Sequence, residues 1–533
     1  ARSSVPAGAD RHPTPLVRRV RFGCEPVIGV GETEVAEGPT DLQQFVAVAS
    51  TAFDKAGRIS PRRVWAEPFP EAVELGDGRA ADDRMIGLVD EPDLQRIGEF
   101  VWSPDEGGLL AFGVADSGAA DAVIAAAFAA ARAEGPDRLH IYGVDGGSGD
   151  LEVMAGWPQV VDVVRVADHE RTVRMIRRLA VLLEERRRGM VGSPLILMVI
   201  ERLETVLGAF DGPGDIALRE MLGRVIVEGP AFGILPLLSA ARPGGVPPAL
   251  AGSIAQRLCF RLADPFEYAT AGLTVRNMGE LGRGRGYDPA GRLVQIGVPA
   301  AAALSELAAA GPSADLPAPV GRLPDQVPLA AVAGLSTVAD GGRFVPVGIG
   351  DTDLAPVGLQ LHAGDHVLIA GPARSGRTTA LATIARLATA GDPDLAVVAV
   401  TRGDSVLEEV SGTACRTVDE LVEVVESRQD PLLILIDDAE RVDHPDLAVL
   451  FDRHDEALHV IAAGRADALR GLYQHWTRGL RRCRLGISLR PQADLDGELW
   501  QTQFPRRGPS FHQPGRGYLV SGGDLEIVQV AAS

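Results

Sequence analysis

The sequence predicts an α/β protein made of two tandem copies of one domain, each a mostly parallel sheet flanked by helices. Three observations predict it. Short apolar runs such as Val367–Ala370 and 432–436 are continuous rather than alternating, as strands buried on both faces are. Alanine- and leucine-rich stretches of helical character separate those runs. Finally, a set of landmarks occurs twice in the same order, the signature of a long internal repeat.

The landmarks are as follows. Gly87-Leu88-Val89-Asp90-Glu91-Pro92-Asp93-Leu94 matches Gly348-Ile349-Gly350-Asp351-Thr352-Asp353-Leu354 with a one-residue gap. Gly113 and Gly118 match Gly371 and Gly376, with 371 − 113 = 376 − 118 = 258. The run 195–200 ends in Glu201-Arg202, and 432–436 ends in Asp437-Asp438. Gly284-Arg285-Gly286-Tyr287 matches Gly515-Arg516-Gly517-Tyr518, each followed by a strand-like segment ending in Val-Gln. These matches divide the chain into 1–80, 81–308, a Pro-, Ala- and Gly-rich linker at 309–327, and 328–533. In the second copy the expected strands are 367–370, 395–400, 432–436, 458–462 and 486–489. Within 1–80, Arg18 to Phe22 reads as the last strand of an earlier domain and Thr40 to Lys55 as an amphipathic linker helix.

Bulk properties limit the function classes. A chain of 533 residues, 46% hydrophobic and 23% charged, is a globular protein of more than one domain. Its numbering opens at Ala1, so it reads as a piece of a longer polypeptide. No signal peptide and no apolar span of about 18 residues is present, so this portion is not expected to cross a membrane. Cys24, Cys259, Cys415 and Cys483 lack CxxC spacing, as in a reducing compartment. The formal charge of −20 argues against general nucleic-acid binding, and the Arg478, Arg481, Arg482 and Arg484 cluster reads as a solvated face or domain contact.

The chemistry concentrates in Gly371-Pro372-Ala373-Arg374-Ser375-Gly376-Arg377-Thr378-Thr379, between a strand and a helix. This is the pattern of a phosphate-binding loop. Its glycines let backbone N–H groups wrap phosphates at a helix N-terminus. Thr378 supplies a hydroxyl for Mg, Asp437 a strand-end carboxylate to order that ion, and Asp438 a candidate base for the attacking water. Arg377 stands where lysine is usual; it keeps the charge but replaces a compact ammonium with a planar fork. ATP and Mg are therefore the expected ligands, with weak or no hydrolysis.

The first copy retains Gly113 and Gly118 in Gly113-Val114-Ala115-Asp116-Ser117-Gly118-Ala119-Ala120. Ala119 replaces the cation, Ala120 the metal hydroxyl, Asp116 adds a negative charge, and Glu201-Arg202 replaces the two acids. Such a site is not expected to hydrolyse nucleotide. No HExxH or GxSxG pattern occurs, and His454 and His459 do not have metal-ligand spacing.

Between the landmarks lie Asp145-Gly146-Gly147-Ser148-Gly149-Asp150-Leu151 with Trp157-Pro158-Gln159-Val160, and 224–243 with its Ala241-Arg242-Pro243 turn. In the second copy His475-Trp476-Thr477-Arg478 and the closing Gly515-Arg516-Gly517-Tyr518-Leu519-Val520 stand out. These strings resemble the FtsK/SpoIIIE-type motors, which are RecA-like, and more narrowly the EccC ATPases of type VII secretion. The resemblance implies that the copies are the second and third motor domains, with the first motor and a membrane anchor upstream. It implies a place at the cytoplasmic face of the membrane, contacts with other subunits of a secretion complex, and self-association into a ring or string. It also implies capture of the C-terminal signal segment of WXG100-type secreted proteins. Arg478, Arg482 and Arg516 are the guesses for an arginine finger. Two alternatives stay open: a DNA translocase of the FtsK branch, which usually appends a winged-helix reader, and a nucleotide-sensing scaffold without motor activity.

Overall fold

A computed structural model describes residues 40–57, 68–78, 80, 82–189, 194–212, 215–273, 281–339, 342–401, 405–428, 430–451, 458–492, 495–505 and 511–532. The expected strand at Arg18 to Phe22, and Cys24 and His454, lie outside these residues. Two compact units are present, 1–66 and 67–533. In the first, the helix Asp41–Lys55 starts at Thr40, whose hydroxyl accepts the Gln43 N–H while the Gln43 side chain returns to the Thr40 N–H. That reciprocal pair satisfies two donors that a helix start otherwise leaves open.

The second unit holds both copies. The first sheet comprises β1 (Met85–Glu91), β2 (Arg96–Val101), β3 (Leu109–Phe112), β4 (Leu139–Asp145), β5 (Val160–Arg165), β6 (Leu195–Ile200), β7 (Ile234–Ala240), β8 (Gln256–Cys259), β9 (Arg285–Tyr287) and β10 (Leu293–Ile296). The second comprises β11 (Gly342–Gly350), β12 (Pro356–Leu361), β13 (Val367–Ala370), β14 (Ala396–Val400), β15 (Thr413–Cys415), β16 (Leu432–Ile436), β17 (Leu458–Gly464), β18 (Leu485–Leu489), β19 (Arg516–Ser521) and β20 (Asp524–Ala532).

Across the first sheet the order is β2-β1-β10-β9-β8-β3-β7-β6-β4-β5. Across the second the same ten-strand order recurs, β12-β11-β20-β19-β18-β13-β17-β16-β14-β15, and two short strands also join this sheet, Thr337–Ala339 on β11 and Val327–Pro328 on β20. In each copy the six strands from the β8 or β18 side onward run parallel, and the other four pair antiparallel. The repeat extends to the backbone. Gln95 and Leu354, each in the turn that leads into β2 or β12, and the landmark pairs Asp116/Arg374 and Arg202/Asp438 are all left-handed, with φ of 50/53°, 57/59° and 53/48°. Non-glycine residues rarely adopt that conformation, so three matched pairs mark one shared tertiary design.

Both faces of each sheet are covered, which is why the strands read as continuous apolar runs. In β13, Val367 and Ile369 belong to one core while Leu368 and Ala370 belong to the other. The helix Ala119–Ala133 presses its alanines and Phe128 onto the first sheet, and His169–Arg187 and Ile216–Glu228 cover the opposite face. Among the described residues no helix is long and apolar enough to cross a membrane.

Residues 313–323, within the expected linker, form a strap laid on the first copy. Val320 and Leu323 are buried, and arginines of the helix His169–Arg187 hold its carbonyls: Arg171 reaches Val320 O at 2.8 Å, Arg178 reaches Ala318 O at 2.7 Å, and Arg174 reaches Gly321 O. Asp162 returns a carboxylate to the Val320 N–H at 2.8 Å. Arg174 also donates to the carbonyl of Asp351 in the second copy, so one buried guanidinium joins both copies and the strap.

Candidate functional site

The loop 371–376 leaves β13 where β17 and β18 end beside it, Ala370 being level with Gly464 and Ser488. The carboxyl end of a parallel sheet is the usual ligand edge. The Gly371 N–H bonds the Gly464 carbonyl at 3.3 Å, and the Ser375 carbonyl accepts the Gly515 N–H at 2.8 Å. Pro372, Ala373 and Arg374 form the exposed tip, with Arg374 at φ 59°. Gly376 caps the helix Arg377–Gly391 at φ 98°, and a side chain there would press within 3.1 Å of the Gly515 nitrogen. Close backbone approach is what the second loop glycine is needed for.

Under the loop the predicted polar residues converge. Thr378 Oγ1 donates to Asp437 Oδ2 at 2.7 Å, and Asp437 Oδ1 accepts the Asp438 N–H at 2.9 Å. A hydroxyl and a strand-end carboxylate sharing one spot are the donor set that fits a hydrated Mg ion. Thr379 sits one residue on, exposed. The Arg377 guanidinium turns back: Nη1 donates to the Gly371 carbonyl at 2.7 Å and Nη2 faces Asp438 Oδ1 at 3.4 Å. Arg441, which sequence reasoning did not single out, approaches the other Asp438 oxygen at 3.5 Å. The candidate base thus lies between two cations.

The first copy places its residues on the same frame with different chemistry. Gly118 caps its helix at φ 108°. Ala119 and Ala120 offer only methyl groups where Arg377 and Thr378 stand. Asp121 accepts from Nε and Nη2 of Arg283, each at 3.0 Å. The depression over the loop is lined by Asp116, Asp121, Asp150 and Glu201 against Arg202 and Arg283, a poor setting for phosphate. Burial, reinforced by the nearby Asp145 charge, pushes the Glu201 carboxyl up to about 7. Glu201 accepts the Gly146 N–H at 3.1 Å. Asp145, also missed as a functional position, is fully buried and accepts the N–H groups of Gly147, Gly149 and Leu151 at 2.7, 3.1 and 3.2 Å. It shapes the turn after β4.

One expectation about arginines needs correction. Arg516 is buried and bonds the carbonyls of Leu323 and Pro324 and the side chain of Gln529, so it cannot extend toward a neighbour as a finger. Within the 478–484 cluster, Arg481 bonds Leu469 O and Arg484 bonds Trp500 O, leaving Arg478 and Arg482 as the exposed members.

Comparison with known proteins follows the same lines. A family profile described as an AAA domain matches residues 359–470. The EccC protein of Geobacillus thermodenitrificans is 21% identical over 87% of this chain, and EccC4 of Mycobacterium tuberculosis 27% over 88%. In sequence the chain is similar to EccC secretion-system proteins over most of its length. It spans 36% and 43% of the length of those two EccC relatives. The fold matches Thermomonospora curvata EccC (ATPases 2 and 3), solved in complex with a signal sequence peptide, at a TM-score of 0.70 and 20% identity, covering 88% of this chain and all of that one. EssC (ATPases 2 and 3) of G. thermodenitrificans gives 0.64 at 19% identity, covering 87% and 99%. The tandem P-loop architecture is thereby shared with EccC-type ATPase pairs.

Proposed function

We propose that this chain is the nucleotide-binding, cargo-facing part of a type VII secretion motor, in which copy two binds Mg·ATP and turns it over slowly or not at all. The observation that carries the reading is the Thr378–Asp437 hydrogen bond of 2.7 Å beneath an intact loop, for which copy one has only Ala120 and Glu201. In copy two the loop N–H groups and Arg377 would hold the phosphates, and Thr378 and Asp437 would hold Mg, which supplies charge neutralisation on the phosphate oxygens. Asp438 would orient water, but its carboxylate faces both Arg377 and Arg441. That engagement supports weak hydrolysis. Copy one is then a scaffold that presents copy two.

Capture of a WXG100-type C-terminal segment belongs to the same reading, supported by the peptide-bound T. curvata homologue. We assign it to the copy-two surface that corresponds to the strap's seat on copy one. The strap covers β5 and the helix His169–Arg187 of copy one, and the matching surface of copy two is β15 with the helix Val418–Ser427, where Val422 and Val425 are partly exposed. Titration calorimetry of the chain with ATP and with a signal peptide, both with Mg, tests the two halves of the proposal. No heat with millimolar ATP would overturn the first half. No peptide binding, with and without nucleotide, would overturn the second.

A further inference from the structure

The Gly-Arg-Gly-Tyr landmark performs the same two tasks in both copies. Its first glycine, at φ 74° in Gly284 and 80° in Gly515, donates its N–H to the carbonyl of the phosphate-loop serine, Ser117 at 2.9 Å and Ser375 at 2.8 Å. The arginine beside it is fixed through Nε to Gln295 or Gln529, at 3.1 Å in each case. Its Nη2 then reaches back to the segment that enters the copy. Arg285 holds the Phe69 carbonyl at 3.2 Å, and Arg516 holds Leu323 O at 2.8 Å and Pro324 O. Copy one has kept this arrangement although its loop has lost every side chain that would touch phosphate, so the clamp does not serve phosphate contact.

A trans peptide carries its C=O and N–H on opposite sides. With the Ser375 oxygen engaged by Gly515, the N–H of the same peptide, on Gly376, points away from Gly515 at the start of the helix Arg377–Gly391. A phosphate oxygen accepting that N–H polarises the peptide and strengthens the Ser375–Gly515 bond. We propose that Arg516 is a positioning residue that couples occupancy of the copy-two phosphate loop to the hold on the strap at Leu323–Pro324. The proposal rests on the nucleotide binding argued above. Coupling of this kind is reciprocal: nucleotide tightens the strap, and a loosened strap weakens nucleotide. In copy one, Arg285 merely anchors the entering segment.

The strap supplies its own reporter, because Arg322 is exposed and immediately precedes the clamped Leu323. The full chain, as wild type, Arg516→Gln and Arg285→Gln, is titrated with Mg·ATPγS by calorimetry and digested with trypsin with and without the nucleotide. The expected result is that nucleotide slows wild-type cleavage after Arg322 about fivefold, the low end of ordinary coupling. Arg516→Gln should bind about fivefold more weakly and lose the protection, while Arg285→Gln behaves as wild type. Wild-type cleavage indifferent to bound nucleotide overturns the coupling, and this arm needs no variant. Wild-type affinity and protection in Arg516→Gln overturn the role of Arg516. A wild type that binds no nucleotide overturns the functional reading itself, an outcome calorimetry separates from the other two.

Discussion

Arg377 Nη2 lies 3.4 Å from Asp438 Oδ1, so the cation of the phosphate loop and the candidate base hold each other. A lysine at this position would give one compact charge without the fork that spans Gly371 and Asp438. An ion pair at this length with Asp438 more than a third exposed is screened and contributes at most about 1 kcal/mol, so Arg377→Lys should raise turnover by up to roughly fivefold. Phosphate release under saturating Mg·ATP measures it. Asp438→Asn in the Arg377→Lys background should abolish the gain, and turnover that survives it would show that Asp438 is not the base.

The Thr378–Asp437 pair predicts where magnesium matters. Thr378→Ala or Asp437→Asn should weaken ATP binding in Mg by about tenfold or more, the loss of one or two metal-directed contacts, and leave binding in EDTA nearly unchanged. Calorimetry in both buffers separates these outcomes. Ala120→Thr in copy one should create no such metal dependence, because Asp116 and Asp121 line that loop.

Much of this site was legible because its parts are close in sequence or recur. The loop, its strand and its helix are contiguous, and Gly515 could be found by its partner Gly284. What Arg516 does was not legible. Its contacts with Leu323 and Pro324 span 193 and 192 residues, and nothing local separates a finger from a clamp. The 309–327 stretch has the composition of a free tether, yet its carbonyls are held by Arg171, Arg174 and Arg178 from about 140 to 150 residues away. Asp145 reads as an ordinary strand-end acid until three N–H groups are seen to converge on it.

Glu201 predicts a pH dependence of stability. Its carboxyl is pushed from 4.5 up to about 7, chiefly by burial, so the folded chain binds this proton more tightly than the unfolded chain. The sign follows: stability from this group is fully present below pH 4.5, falls as pH rises, and is lost above about 7. The whole effect is on the order of 3 kcal/mol at most. Glu201→Gln should therefore raise the unfolding temperature at pH 8 more than at pH 5. Equal shifts at both values would show that Glu201 is ionised in the fold.

Arg174 predicts how the two copies cohere. Its side chain is buried, pairs with Glu170 at 2.8 Å, and donates to the carbonyls of Gly321 in the strap and Asp351 in copy two. Arg174→Met keeps the stem but leaves the Glu170 carboxylate and two carbonyls without their donor. Breaking a buried pair from one side costs about 3–5 kcal/mol. Glu170 retains the Leu323 N–H at 2.9 Å, which places the expected loss near the lower figure. Because the lost contacts lie between elements, the secondary structure of each copy should persist. Differential scanning calorimetry of the variant should show copy one and copy two melting in separate transitions where the wild type melts in one. A single transition lowered by only a degree or two would place the cohesion in the apolar contacts around the strap instead.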